Sequence, residues 1–215
     1  DADREAEALA RFDALCGDAS PTRPVRRRVQ ANEASAGIAR FEAAFAAGDA
    51  AAWEAEFDTS LAVIAHPTGA SYGRDGHLRS LLRLAQSRDP VLHFEPIAML
   101  GERLVLARRR VAASGATSAR YDVGAYEREE FILTEAGSSG RAIAIEIFAS
   151  DRLSDAVVRL YERWAAQLPE GAERARGEAV ARAVAAMSAP TDPDRLAATY
   201  APDLKVVDHR LFGTW

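Results

Sequence analysis

His66 closes an apolar run, Leu61-Ala62-Val63-Ile64-Ala65, just before a loop opened by Pro67. An imidazole titrates near neutral pH, so at a pocket rim it could act as a general base. It could equally cap the strand end. Asp122 and Glu129 lie in a longer apolar and aromatic stretch, 120–134. A carboxylate buried there would hold its proton more tightly and suit proton transfer. The same stretch carries the run Glu127-Arg128-Glu129-Glu130, and Arg108-Arg109-Arg110 lie upstream. The two runs could pair across a sheet, a reading that needs no catalysis. Tyr72, Tyr121 and Tyr126 offer hydroxyl donors to a ligand or rings to a core. His93 alternates with Leu92 and Phe94 and so points away from them, with Glu95 on its own face. His77 begins a helix and reads as exposed. The candidate acid–base groups are therefore His66, Asp122 and Glu129, and the candidate ligand contacts Tyr72, His93, Arg109 and Tyr126. The sequence has no phosphate loop, no nucleophile-plus-base pair and no His, Cys and carboxylate cluster at metal-ligand spacing. Neither a metal nor a cofactor is expected.

The elements that must carry these residues centre on Val91–Phe148. Two strand-like runs, 91–100 and 104–111, flank the turn Gly101-Glu102-Arg103. A third strand is expected over 120–134. The fourth, 142–148, alternates strictly, with Ile143, Ile145 and Ile147 on one face. Loops this short favour antiparallel pairing, because a parallel crossover needs a dozen or more residues. Helices are expected over 32–47, with Asn32 as N-cap, and over 50–56, 74–86, 151–168 and 172–189. Residues 61–66 read as a strand and 67–73 as a loop. Phe41, Phe45, Trp53 and Leu81 should be buried against the sheet.

The chain has 215 residues, 48% hydrophobic and 27% charged, and a net charge of −5. That is an ordinary globular composition, with no electrostatic case for nucleic-acid binding. Cys16 is the single cysteine, so no internal disulfide forms. No apolar run is long enough to span a membrane and no signal peptide is visible. The expected setting is the cytoplasm.

Two self-matches imply a repeat. Residues 3–12 align without gaps on 151–160, and Leu61–His66 aligns on Leu204–His209, at offsets of 148 and 143 residues. On this reading residues 1–17 are the tail helix of a preceding copy and 18–31 a Pro- and Arg-containing linker. Residues 33–168 form one complete domain, and 173–215 open a following copy. The chain, which begins at Asp1, then reads as a piece of a longer polypeptide.

Helix, short helix, strand, helix and a four-strand meander resembles the nuclear transport factor 2-like superfamily. The segment FEAAFAAGDAAAWEAEFDTSLAVIAHPTGASYGRDGHLRSL resembles the opening of its SnoaL-like members. The resemblance implies an α+β fold: a strongly curved antiparallel sheet wrapped round the N-terminal helices, making a cone with a pocket. It also implies either a small-molecule-binding or dimerisation module, or a pocket enzyme of the isomerase, cyclase or dehydratase kind that moves protons with a carboxylate or histidine. No local motif matches the family's catalytic residues. The preferred reading is a non-catalytic module in a larger bacterial regulatory or signalling protein. Its partners would be a small apolar ligand, adjacent domains of the same polypeptide and a second copy meeting it through the sheet.

If the repeat is real, lengthening the chain by roughly one hundred residues will add a second cooperative unfolding transition. Hydrogen exchange checks the same point. Protection of Val206 and Val207 equal to that of Ile145 would place them in the first domain's core and end the tandem reading.

Overall fold

The computed structural model describes residues 31–117 and 122–188, with a few positions between 194 and 205. The expected tail helix over 1–17, the linker up to residue 30 and the strand ending near His209 lie outside the described residues. Helix α1 (Glu33–Ala46) starts where the sequence places it. Asn32 accepts from the Ser35 amide at 2.9 Å, and the Ser35 hydroxyl accepts from the Asn32 amide at 2.9 Å. This reciprocal cap satisfies two otherwise orphaned donors. The Asn32 side chain also donates to the carbonyls of Gly101 and Leu104, tying the helix to a hairpin turn. Ala34, Ile38, Phe41 and Phe45 form one buried stripe along α1. A short helix α2 (Ala50–Ala55), capped by Asp49, buries Trp53 completely.

Strands β1 (Phe57–Ala65) and β2 (Ala70–Gly73) form a hairpin, and α3 (Arg74–Ala85) follows directly. Then come β3 (Val91–Leu100) and β4 (Leu104–Ala113), joined through Gly101 in the left-handed region at φ 58°. A two-residue ribbon, β5 (Ala116–Thr117) with β6 (Asp122–Val123), precedes β7 (Tyr126–Ala136) and β8 (Ala142–Ala149). Helices α4 (Leu153–Gln167) and α5 (Ala172–Ser188) complete the described chain.

The main sheet is six-stranded, curved and unclosed, in the order β2-β1-β8-β7-β4-β3. Irregular register between Pro96 and Ala98, and between Glu135 and Ala136, provides the kind of bulge that bends a strand. The pairs β3–β4, β4–β7 and β7–β8 are antiparallel, as the short loops require. β1 is a correction to the antiparallel expectation: it lies parallel to β8. The two are distant in sequence, so no short turn dictates their relative sense. Two further corrections concern local structure. Residues 70–73, read as loop, pair with β1, and the long strand begins at Tyr126 rather than near Arg120.

Both faces of the sheet are covered. On the concave side Val63, Val105, Ala107, Ile132 and Ile145 pack with α1, α2 and α3, and Phe41, Phe45, Trp53 and Leu81 are buried there as expected. On the convex side Leu104, Leu106, Phe131, Leu133 and Phe148 pack with Ala156 and Leu160 of α4. α5 lies against α4 at a point of close approach. A Cβ on Gly177 would meet Leu168 Cδ1 at 2.5 Å and Ala165 Cβ at 3.4 Å. Gly177→Leu should force the two helices apart at a cost of about 1–3 kcal/mol. Hydrogen exchange will then show lost protection in α5 with Ile145 in β8 unchanged.

Candidate ligand-binding site

The cone narrows into packed aromatics. Phe41 meets Phe45, Trp53, Phe57 and Phe94 with ring centroids 5.1 to 6.4 Å apart. What remains beside them is a pocket of about 30 Å³, room for little more than a water molecule. Inside the cone, a cleft of about 560 Å³ opens at the mouth, between α3 and the inner faces of β3, β4 and β7. Leu81, Leu84, Leu92, Val111 and Ile147 give it apolar walls. His77 and Arg109 line both spaces and stand between them.

Each polar group of the cleft is positioned by its element. His77 falls on the stripe of α3 that also carries Leu81 and Leu84, and only 4% of it is exposed. Its ring sits edge-on to Phe57 at 4.8 Å and nearly parallel to Tyr72 at 6.5 Å. Burial, helped by the positive charge of Arg109, pushes its pKa down to about 3. The imidazole is therefore neutral at physiological pH. Arg109 faces inward from β4 and Glu130 inward from β7, directly opposite in register. Arg109 donates through Nε at 2.7 Å and through Nη2 to Glu130 Oε1, and both side chains are buried. Arg128, mostly exposed, adds a contact at 3.2 Å to the other Glu130 oxygen. Tyr72 packs on Gly76, where a Cβ would come within 3.1 Å of its ring. Burial raises the Tyr72 phenol pKa; Arg109 and Arg128 pull it back and Glu130 adds to it, so the phenol stays a hydroxyl donor at neutral pH. Arg74 anchors the start of α3 by donating to the carbonyls of Phe57 and Glu54. Among the described residues no three His, Cys, Asp or Glu side chains converge to hold a metal ion.

Helices inside a curved sheet, the strand order above and a cleft at the wide end together define the architecture. It is the curved-sheet α+β cone that the sequence resemblance implies. No family model and no curated protein matches the sequence. Solved structures similar to it include a provisionally assigned polyketide cyclase from Xanthomonas campestris pv. campestris, at 17% identity and a TM-score of 0.45, covering 56% of this chain and 92% of that one. An NTF2-like protein of unknown function from Exiguobacterium sp. 255-15 aligns at 11% identity and a TM-score of 0.42, over 54% and 98% of the two chains. Rv0760c from Mycobacterium tuberculosis, solved with estradiol-17β-hemisuccinate, aligns at 10% identity and a TM-score of 0.45, over 56% and 97%.

The cone gathers some of the sequence-derived candidates and disperses others. Tyr72, Arg109 and Tyr126 line the cleft. His66 does not. Its side chain is 42% exposed on the convex side, 2.9 Å from Glu146 and stacked on Phe148 at 4.4 Å. His93 is 61% exposed and bonds Glu42 at 2.7 Å, outside the cleft. Glu42 also accepts from the Phe94 amide, covering part of an edge strand. Glu129 is exposed, and the buried carboxylate is its neighbour Glu130. Asp122 pairs through its backbone in the β5–β6 ribbon, and its side chain lies outside the described part.

Three groups escape the sequence reading: His77, Glu130 and Glu146. The i, i+4, i+7 spacing of His77, Leu81 and Leu84 marks a common face and would have found the first. Strand parity finds the second, since Glu130 shares a face with Ile132 and Thr134. Glu146 is 2% exposed under α4 and takes hydrogen bonds from His66, Arg159 and Arg163. Burial alone would raise its pKa, but those three partners outweigh burial and hold it below the ordinary glutamate range. Glu146 and His66 thus form an anchor for α4, remote from the cleft.

His77 gives a pH signature. Its folded pKa lies below its unfolded value of about 6.5, so the unfolded chain takes up a proton first as pH falls. Stability should be full above pH 6.5 and decline towards pH 3, by at most about 1.4 kcal/mol per unit from this group. Chemical denaturation across pH should show a flatter decline in this window for His77→Phe. An unchanged profile would show that the ring titrates normally.

Proposed function

We propose that this domain is a non-catalytic, SnoaL-like small-molecule-binding module and that its ligand occupies the cleft at the mouth of the cone. One observation carries the reading: the proton-active groups of the cleft are already committed. Glu130 takes hydrogen bonds from Arg109 on Oε1 and has an ion-pair contact with Arg128 at 3.2 Å on Oε2. His77, with a pKa near 3, is far too weak a base for proton abstraction at neutral pH. Such a cleft can hold and orient a molecule but lacks a base poised near working pH. The alternative, an isomerase, cyclase or dehydratase, would need one. His66 does not supply it, because it faces Glu146 on the opposite side of the sheet.

The coverage of the sheet supports binding over dimerisation. α4 occupies the apolar part of the convex face, and the remainder carries paired charges such as Arg110 with Glu127 at 2.6 Å. We further propose that the module belongs to a longer bacterial regulatory polypeptide with a neighbouring copy on either side, a reading supported by the two self-matches in the sequence. No described helix is long and apolar enough to cross a membrane, and we place the module in the cytoplasm.

The neutral dye N-phenyl-1-naphthylamine probes the cleft directly. It should brighten on binding, and Ser80→Trp, which fills the cleft from the exposed side of α3, should weaken it about tenfold or more. The thermal midpoint should stay within about 2 °C of the parent, since a surface change on α3 breaks no core contact. Undiminished dye binding in this variant would put the site elsewhere.

A further inference from the structure

Arg109 has donors to spare. Glu130 engages Nε and Nη2, and Nη1 meets no protein acceptor. Among the described residues no buried side-chain nitrogen or oxygen is both sealed from solvent and unpartnered. Nη1 therefore keeps some exposure, and Arg109 lines both the small apex pocket and the cleft. The same reasoning holds for the ring nitrogens of His77, which is more than nine-tenths buried, lines the cleft and has no hydrogen-bond partner. A neutral imidazole offers one N–H donor on either nitrogen. The Tyr72 hydroxyl, on the same wall, has no protein acceptor either.

Charge points the same way. Arg83, Arg109 and Arg128 line the cleft against a single carboxylate, Glu130. Arg83 has no ion-pair partner among the described residues. The cleft thus keeps an excess of positive charge between apolar walls, with unused donors at its inner end. Donors open to the cleft can be met by water, and an anionic acceptor makes the strongest class of hydrogen bond with them.

Resting on the binding reading above, we propose that the ligand is a carboxylate carried on a compact apolar body. Its oxygens accept from Arg109 Nη1, His77 and Tyr72, and its apolar body lies against Leu81, Leu84 and Ile147. A neutral apolar ligand would leave those donors unmet and the excess charge uncompensated.

Calorimetry with 2-naphthoate and its neutral isostere 2-naphthamide tests this at neutral pH. The acid should bind at least about tenfold more tightly than the amide, the scale of a charged hydrogen bond. The double variant R109Q/E130Q removes the guanidinium without stranding Glu130. It should bring the two affinities to within about twofold of each other, mainly by weakening the acid. His77→Phe, which keeps the volume of the ring, should weaken the acid several-fold and the amide little. Equal affinities in the parent protein would overturn the proposal, as would a preference for the acid that survives in R109Q/E130Q. If N-phenyl-1-naphthylamine binds but neither naphthyl probe does, the carboxylate inference fails and the binding reading stands. If none of the three binds, the binding reading falls with it.

Discussion

Leu104, Val105, Leu106 and Ala107 are four successive strand residues with no exposure at all. Side chains of a strand point alternately to its two faces, so this run demands an apolar cover on both. The concave cover comes from α1, α2 and α3, and the convex cover from α4. Without α4 the sheet would present Leu106, Phe131, Leu133 and Phe148 to water. The helix after the meander is therefore part of this domain, and Trp164 reaches back to the hairpin turn at Gly101.

Past Ala107 the same strand leaves the double-covered core. Arg108 and Arg110 point outward, while Arg109 must point inward. An unpaired guanidinium there would be expensive, and β7 supplies Glu130 at the opposite position. Removing either partner alone would leave a buried charge, at a cost of about 3–5 kcal/mol. The pair sits where the aromatic apex gives way to the open cleft. It closes off the filled interior and makes the polar inner end of the cleft, together with His77.

The convex side carries a second buried charge with the opposite economy. Glu146 is surrounded by donors from α4 and by His66, so its negative charge is fully answered. Arg163 also reaches Glu135, which accepts from Gln167. This network fixes the orientation of α4 on a surface whose apolar contacts alone would allow sliding. It also fixes His66 as a fastener of the sheet and helix.

The sequence by itself determined the order of the helices and long strands, the cap at Asn32, the antiparallel meander and the burial of Phe41, Phe45, Trp53 and Leu81. Those follow from local periodicity and short-loop geometry, which act between near neighbours in the chain. Parity also held information about the site. Leu61 and Val63 face inward, so His66 must face outward, and Ile132 inward puts Glu130, not Glu129, with it. The parallel seating of β1 beside β8 was decided only in three dimensions, because no short turn links them. So was the meeting of His77, Tyr72, Arg109 and Glu130. They come from α3, β2, β4 and β7, and only the curving of the sheet over the helices brings a helix stripe and three strand faces to one cleft.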